Sequence, residues 1–436
     1  MTLPDPESVP RREFAKAAVA LGGLAGLSAC LGESDGGGDD ADEAIEGAPL
    51  DGVPTGDPDA APRRQHAWND ALDRDEAGNR SLPTHHVLRY VDVDRGDERR
   101  EAARDRFAAA LADLEAAFER APAGLLFTVG YSPAYFDRLP GELPEAVDLP
   151  APRALTDAEE PALDDADALV HLAASDPAAV LAADEALFGE ATAANGVDVT
   201  DASDLFEPVD RRTGFSGAGL PRERRDADGV PDDAPIPEGA SLFMGFLNGF
   251  AESQATEDRV TIDEGPFAGG TTQQVATLRT QLDAWWSQES HAQRVAKLFS
   301  PTHADEERVG EWGERLGSDP AVADLPEDAV AYAREEGVVG HAQKAARARE
   351  DGEPVLLRRD FPTTDGDHTG IHFLTLQESI GDFAAVREAM TGADIAGETA
   401  VGSRVNNGIL QYVFVRARGN FLVPPRELRA LPDPNP

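Results

Sequence analysis

Lysine is almost absent from this chain, and cysteine occurs once, at Cys30. A single thiol excludes an intramolecular disulfide and any cluster of cysteine metal ligands. The usual catalytic signatures are missing too: there is no G-x-x-x-x-G-K-S/T phosphate loop, no G-x-S-x-G elbow, no H-E-x-x-H and no thiol nucleophile. Basic charge is scarce, with 39 Lys and Arg against 82 Asp and Glu and a formal net charge of -43. A field of that sign repels nucleic acid and anionic membrane surfaces, which argues against both as partners. The acids are spread along nearly the whole length rather than gathered in one tail. That is the pattern of a salt-adapted surface, where dissolved ions screen the self-repulsion that opposes folding.

The position of Cys30 accounts for it. Arg11-Arg12-Glu13-Phe14 precedes an apolar, small-residue run from Ala15 to Ala29, and the run ends in Leu27-Ser28-Ala29-Cys30. Twin arginines before such a run mark an export signal of the Tat type, and the run is too short for a comfortable membrane span. Residues 1–30 therefore read as a lipoprotein signal whose cysteine becomes the lipidated N-terminus. This places the protein on the outer face of the cytoplasmic membrane. The alternative is a plain cleaved signal with an incidental cysteine. Residues 31–84, rich in Gly, Asp, Ala and Pro, read as a disordered acidic tether.

Order is expected from His85. Val87–Val93 reads as a strand and Glu98–Arg120 as a helix, with Phe107, Leu111, Leu114 and Phe118 at helical spacing. Strands at Gly124–Gly130 and Asp167–Leu172 and a helix at Pro177–Phe188 complete a ferredoxin-like unit over residues 85–239. A similar rhythm returns over 240–430. Strands are expected at Ser241–Gly245, Gln274–Leu278, Val355–Arg359, Ile371–Leu376 and Ile409–Val415, and helices at Leu282–Phe299, Ala304–Leu316 and Ile380–Met390. The fold class is thus α+β, two ferredoxin-like units of antiparallel sheet and packed helices. A doubly wound parallel sheet is the rival, and the absence of a Gly-rich loop after any strand weighs against it.

Chemistry has to be sought among nine histidines and the carboxylates. His66 falls in the tether, His85 and His86 open the first strand, and His171 alternates with apolar residues as a core histidine does. His291 and His303 read as surface or capping residues, and His368 and His372 flank a strand start. His341 differs in context. It follows Val338-Val339-Gly340 and opens the helix-like His341-Ala-Gln-Lys-Ala-Ala-Arg347. Leu356-Leu357-Arg358-Arg359, with Arg358 seventeen positions after His341, ends an apolar strand with two cations.

Taken in order, these segments resemble those of the dye-decolourising (DyP-type) haem peroxidases. Leu126-Phe-Thr-Val-Gly-Tyr-Ser-Pro-Ala-Tyr-Phe136 is similar to that family's first-domain motif, and Asp167 to His171 continues in step. Leu242-Phe243-Met244-Gly245-Phe246-Leu247-Asn248-Gly249 sits where the family carries G-x-x-D-G. Gly269-Gly270, Arg279 and Trp285 resemble its next strand and helix. Gly340-His341 matches the segment supplying the proximal haem ligand, and Leu356-Leu357-Arg358-Arg359-Asp360-Phe361 the strand supplying a distal arginine. Thr369-Gly-Ile-His-Phe-Leu-Thr-Leu-Gln377 and Gly419-Asn-Phe-Leu-Val-Pro-Pro425 resemble its closing segments. The coverage runs from about His85 to Pro425.

The resemblance implies a DyP-like fold with haem b in the second unit, and a peroxidase that uses hydrogen peroxide to oxidise a small reducing substrate. It implies His341 as the iron ligand, Arg358 as the distal charge stabiliser, Asn248 as a distal hydrogen-bonding group and Arg279 as a partner for a haem propionate. One departure stands out. The sequence reads G-F-L-N-G, and an amide cannot exchange a proton as the family's aspartate does. Glu252, Asp258 and Asp360 are the acids near enough in sequence to substitute. Two rival readings follow: a haem-binding or haem-delivery lipoprotein without turnover, and a non-haem binding module on a degenerate DyP-like fold. The reducing substrate and oligomeric state are left open.

Overall fold

The computed structural model describes residues 47–436, apart from 95, 97, 98, 326, 327 and 398. The twin-arginine leader and Cys30 lie outside the described residues. Among those described, no helix is long and apolar enough to cross a membrane.

Among the described residues twelve strands are formed: β1 His85–Val93, β2 Leu126–Tyr131, β3 Ala162–Leu163, β4 Ala168–Ala174, β5 Ala193–Ala194, β6 Val197–Asp198, β7 Phe206–Phe215, β8 Thr271–Thr280, β9 Leu357–Arg358, β10 Phe361–Thr363, β11 Gly370–Gln377 and β12 Val413–Val423. Ten of them make one sheet in the order β10-β11-β8-β12-β2-β4-β1-β7, with β3 on β12 and β9 on β11. The pairings are antiparallel except for β3 with β12. The two ends of this path meet, because Thr363 Oγ1 on β10 donates to Thr213 O on β7 across 2.7 Å. The sheet is thus rolled, with an inside and an outside.

Residue parity decides what each surface holds, since neighbours along a strand point to opposite faces. In the first unit, Val87, Val129, Val170 and Leu172 face outward under helices α1 (Arg100–Ala117) and α2 (Pro177–Phe188). Phe107, Leu111 and Leu114 supply the helical side of that core, as their spacing predicts. Asp176 caps α2 by accepting from the Ala178 amide, and Pro177 occupies the first turn, where no amide hydrogen is needed. The alternate residues Leu88, Tyr90 and Leu169 face inward and meet Val275, Leu374, Leu376 and Phe421 from the second unit. The two ferredoxin-like units therefore share an internal core.

Several expectations require correction. The segment taken as a tether is folded from residue 47: Val53, His66, Trp68 and Leu72 are buried against the body. Three of its few large apolar residues, Val53, Trp68 and Leu72, are buried, so sparse hydrophobicity is a poor guide to disorder here. Residues 31–46 lie outside the described residues. Ser241–Gly245 is a series of turns, with Phe243, Met244 and Phe246 buried as wedges. The helix expected at Leu282–Phe299 is broken into α3 (Leu282–Gln288) and α4 (His291–Leu298), where Ser290 starts a new capping box with Gln293. Of Ala304–Leu316, helix is found only across Pro301–Asp305. The strand expected at Val355–Arg359 shrinks to β9, and the last strand is displaced to Val413–Val423. β7 was missed.

Candidate functional site

The outer face of the second unit is polar in the middle. Thr375 of β11 stands opposite Gln274 of β8 and Arg358 of β9, and Gln274 in turn faces Asn420 of β12. These residues occupy the parity opposite to the apolar Val275 and Leu374. Helix α6 (Ile380–Thr391) covers this side, laying Phe383 and Val386 against Phe373, and α5 (His341–Ala346) packs against α6.

Gly340 fixes where α5 begins. A Cβ at that position would lie 1.7 Å from the Phe299 carbonyl oxygen, so only glycine lets the start of α5 press against the end of α4. One turn further on, Lys344 is fully buried, and its ammonium donates to Met390 O at 2.7 Å and Asn407 O at 3.1 Å. These bonds tie α5 to the last turn of α6 and hold His341 in place.

His341 is densely surrounded by protein atoms, although part of its surface stays accessible. Burial lowers its pKa to about 3, and the charges of Lys344, Arg358 and Arg387 push in the same direction. The ring is therefore neutral at ordinary pH, the form in which imidazole binds a metal. Its Nδ1 is buried and has no hydrogen-bond partner. Other orphans share the surroundings: Thr375 Oγ1, both amide atoms of Gln274, Arg358 Nε, Arg387 Nη1 and Arg418 Nη1. Buried polar atoms are normally paired, and leaving one unpaired costs about 1–3 kcal/mol. So many on one face fit a bound group with an electron-poor centre for the imidazole and anionic edges for the guanidinium groups. The donor set thus fits an iron porphyrin.

A second feature adjoins the first. A cavity of about 450 Å³ is bordered by Asn248, Gln254, Arg358, Arg359, Asp360 and the hairpin around Asn79. Asn248 Nδ2 donates to Asp360 Oδ2, and Arg358 Nε lies 3.9 Å from Asp360 Oδ1. The Arg358 amide donates to Gln254 Oε1 at 2.9 Å. Asp360 is buried, and that burial raises its pKa against the smaller opposing effects of Arg358 and Asn248. Arg358 belongs to both features: it lines the cavity, and its charge is felt at His341.

Of the residues expected at the site, His341, Arg358 and Asn248 are brought to this region. Arg279 is not. It lies on the opposite face of the sheet from Gln274 and Arg358, exposed and paired with Gly370 and Phe414. Among the three nearby acids, Glu252 and Asp258 are exposed, the latter bound to Arg64, and only Asp360 meets Asn248. Sequence reading overlooked Arg387 and Arg418, which share Glu159 between them. The nearest signal was the run of polar residues from Thr271 to Gln274 at the start of β8, all of them buried. His303, expected as a surface or capping residue, stands in the first turn of the Pro301–Asp305 helix, buried and bonded to Ser300 Oγ and Pro320 O. His171 is a core residue as expected, 3.0 Å from His86. Among the described residues, no group of three or more His, Cys, Asp or Glu could hold a metal by itself.

A model described as a family of unknown function, DUF7405, matches residues 83–425. No curated protein matches in sequence. Solved structures with the same fold include a dye-decolorizing protein from V. cholerae, 17% identical, with a TM-score of 0.51 and coverage of 83% of this chain and 98% of that one. The encapsulated DyP-type peroxidase from Mycobacterium smegmatis is 19% identical, with a TM-score of 0.51 and coverage of 84% and 100%. A DypB variant from Rhodococcus jostii RHA1, solved in complex with heme, is 15% identical, with a TM-score of 0.51 and coverage of 84% and 99%.

Proposed function

The chain belongs to DUF7405, a family of unknown function, and on that footing we propose that it is a haem b peroxidase that uses hydrogen peroxide to oxidise a small reducing substrate. The observation that carries this reading is His341: a deeply set, neutral imidazole without a protein partner, close enough to Arg358 and Arg387 to feel their charges. The DyP-type fold, and the heme named for one structure that has it, support the choice of group.

When bound, haem supplies the redox chemistry: it takes up the oxidising equivalents of peroxide and hands them to the reductant. The chain's own residues do the rest. His341 would supply the nitrogen that holds the haem iron. The guanidinium of Arg358 would offset negative charge as the peroxide bond opens. Arg387 and Arg418 are the cations for the carboxylate edge of the porphyrin, the part first expected of Arg279. Asn248 donates a hydrogen bond on the cavity side. The leader at Arg11-Arg12 and the lipid attachment at Cys30 would place this chemistry outside the cytoplasmic membrane.

The deciding experiment is the absorption spectrum of the protein with haemin, wild type against His341→Ala. A Soret band that shifts or vanishes in the variant is the expected result. No haemin uptake by the wild type would overturn the proposal. Asn248, standing where an acid is expected, favours one second reading, haem binding without turnover. Peroxidase rates no better than free haemin would select it.

A further inference from the structure

The structure assigns the acid–base role to Asp360, and makes Asn248 the residue that positions it. This inference rests on the haem reading above, and it explains how a chain with an amide in the G-F-L-N-G loop handles protons.

The geometry is specific. The Asn248 backbone amide donates to Ser241 Oγ at 2.9 Å, and the Gly249 amide donates to Asn248 Oδ1 at 2.8 Å. Both bonds hold the side-chain amide with its oxygen turned to the loop, leaving Nδ2 to donate to Asp360 Oδ2. A carboxylate at 248 would set two like charges face to face. One acid and one amide are complementary, so the pair keeps a single carboxylate and moves it from the loop to the strand. Oδ1 of Asp360 faces Arg358 Nε, itself without a hydrogen-bond partner, across 3.9 Å. Asn248, Arg358 and Asp360 border one cavity of about 450 Å³, ample for peroxide and several waters. Burial raises the proton affinity of Asp360, which suits a group that must take a proton and give it back.

The step balances. The hydrogen on the peroxide oxygen nearer the haem passes to Asp360 Oδ1. As the O–O bond breaks, that proton is returned to the far oxygen, which already carries its own hydrogen and leaves as water. The bound haem, held by His341, would supply the two electrons that the reduction needs and account for the second oxygen. Asp360 ends as it began, and Arg358 offsets the charge that builds on the departing oxygen.

The test uses haem-loaded protein mixed rapidly with hydrogen peroxide. Asp360→Asn should slow the Soret change by about 10²-fold or more, the usual worth of a general acid–base, with the resting spectrum unchanged. Asp360→Glu should keep most of the rate, and the exchange Asn248→Asp with Asp360→Asn should recover part of it. A rate for Asp360→Asn within about twofold of wild type would overturn the assignment, since general acid–base catalysis is worth far more than that. So would an Asp360→Glu variant as slow as Asp360→Asn. A second readout needs no turnover: the infrared carboxyl bands of the haem-free protein. A band lost in Asp360→Asn and shifted in Asn248→Ala is expected. A band indifferent to Asn248 would remove its positioning role. Failure of the wild type itself to bind haemin or use peroxide would sink the haem reading, while leaving the infrared result to judge the pair.

Discussion

Arg418 donates to Glu159 across 2.9 Å, although 259 positions separate them along the chain. The other oxygen of Glu159 pairs with Arg387 of α6, and all three side chains are largely enclosed, with Arg418 stacked over Phe383. Burial works against the Glu159 carboxylate, but the Arg387 and Arg418 charges outweigh it and hold its pKa below the usual range. Its stabilising share is therefore present above the unfolded value and is lost as pH falls through the folded one. Glu159→Gln would leave two guanidinium groups uncompensated in a poorly solvated place. Breaking a buried pair from one side costs about 3–5 kcal/mol. Denaturant titration near neutral pH should show a loss of that order, and Arg387 links it to haem affinity. A change under about 1 kcal/mol, the worth of an exposed pair, would mean that water reaches the cluster.

The histidines make a pH prediction of definite sign. Burial lowers His66, His171 and His341 to about 3 and His85 to about 4, while His86 falls well below its ordinary value. In the unfolded chain each takes a proton near 6.5, but in the folded chain none does until far lower pH. The unfolded state thus binds more protons throughout that window, so stability declines as pH drops from about 6.5 towards 4, by roughly 1.4 kcal/mol per unit for each group. Relief of acidic self-repulsion does not offset this, because ordinary carboxylates titrate near the bottom of the window. Melting temperature at fixed high salt should fall steeply below pH 6.5. A flat profile from 7 to 4.5 would contradict the buried neutral rings.

Much of this was legible in the chain and some was not, for physical reasons. The helix Pro177–Phe188 is found residue for residue, because Asp176 and Pro177 mark its start and Gly189 its end. His341 opens a helix as its context foretold. β7 was missed because Phe206–Phe215 is an end strand whose middle residues face water, so no apolar alternation signals it. The turns at Ser241–Gly245 looked like a strand because Phe243 and Met244 are apolar for packing, while Gly245 takes a φ of +87° against Trp286. Choosing Asp360 over Glu252 and Asp258 required knowing which strand end meets the Asn248 loop. Only the tertiary arrangement supplies that.

Gly340→Ala should separate ligand placement from folding. The added methyl has to displace the Phe299 carbonyl, which it would otherwise approach to 1.7 Å. Overpacking of this kind costs about 1–3 kcal/mol, a loss that a domain of ordinary stability survives. The shift falls at the first residue of α5, beside His341. The variant should remain folded by circular dichroism yet bind haemin more weakly than wild type. Unchanged haemin affinity would indicate that the start of α5 has slack.

The segment once taken for a tether offers the last test. Trp68 is 3% exposed, packs with Leu72, Leu126 and Ala173, and donates through Nε1 to Gln65 O at 3.0 Å. Gln65 in turn accepts from the Val129 amide and donates to Val129 O and Pro424 O, joining the segment to β2 and to the end of β12. The hairpin that follows is anchored by Asn79, which donates to Gly317 O and accepts from the Ala251 amide, and it forms one wall of the cavity containing Asp360. Trp68→Ala should therefore cost about 3–5 kcal/mol, as for a large aromatic residue in a core. The same change should open the segment to proteolysis at sites before His85. A loose tether predicts the reverse: no loss of stability, and cleavage there in the wild type as fast as in the variant.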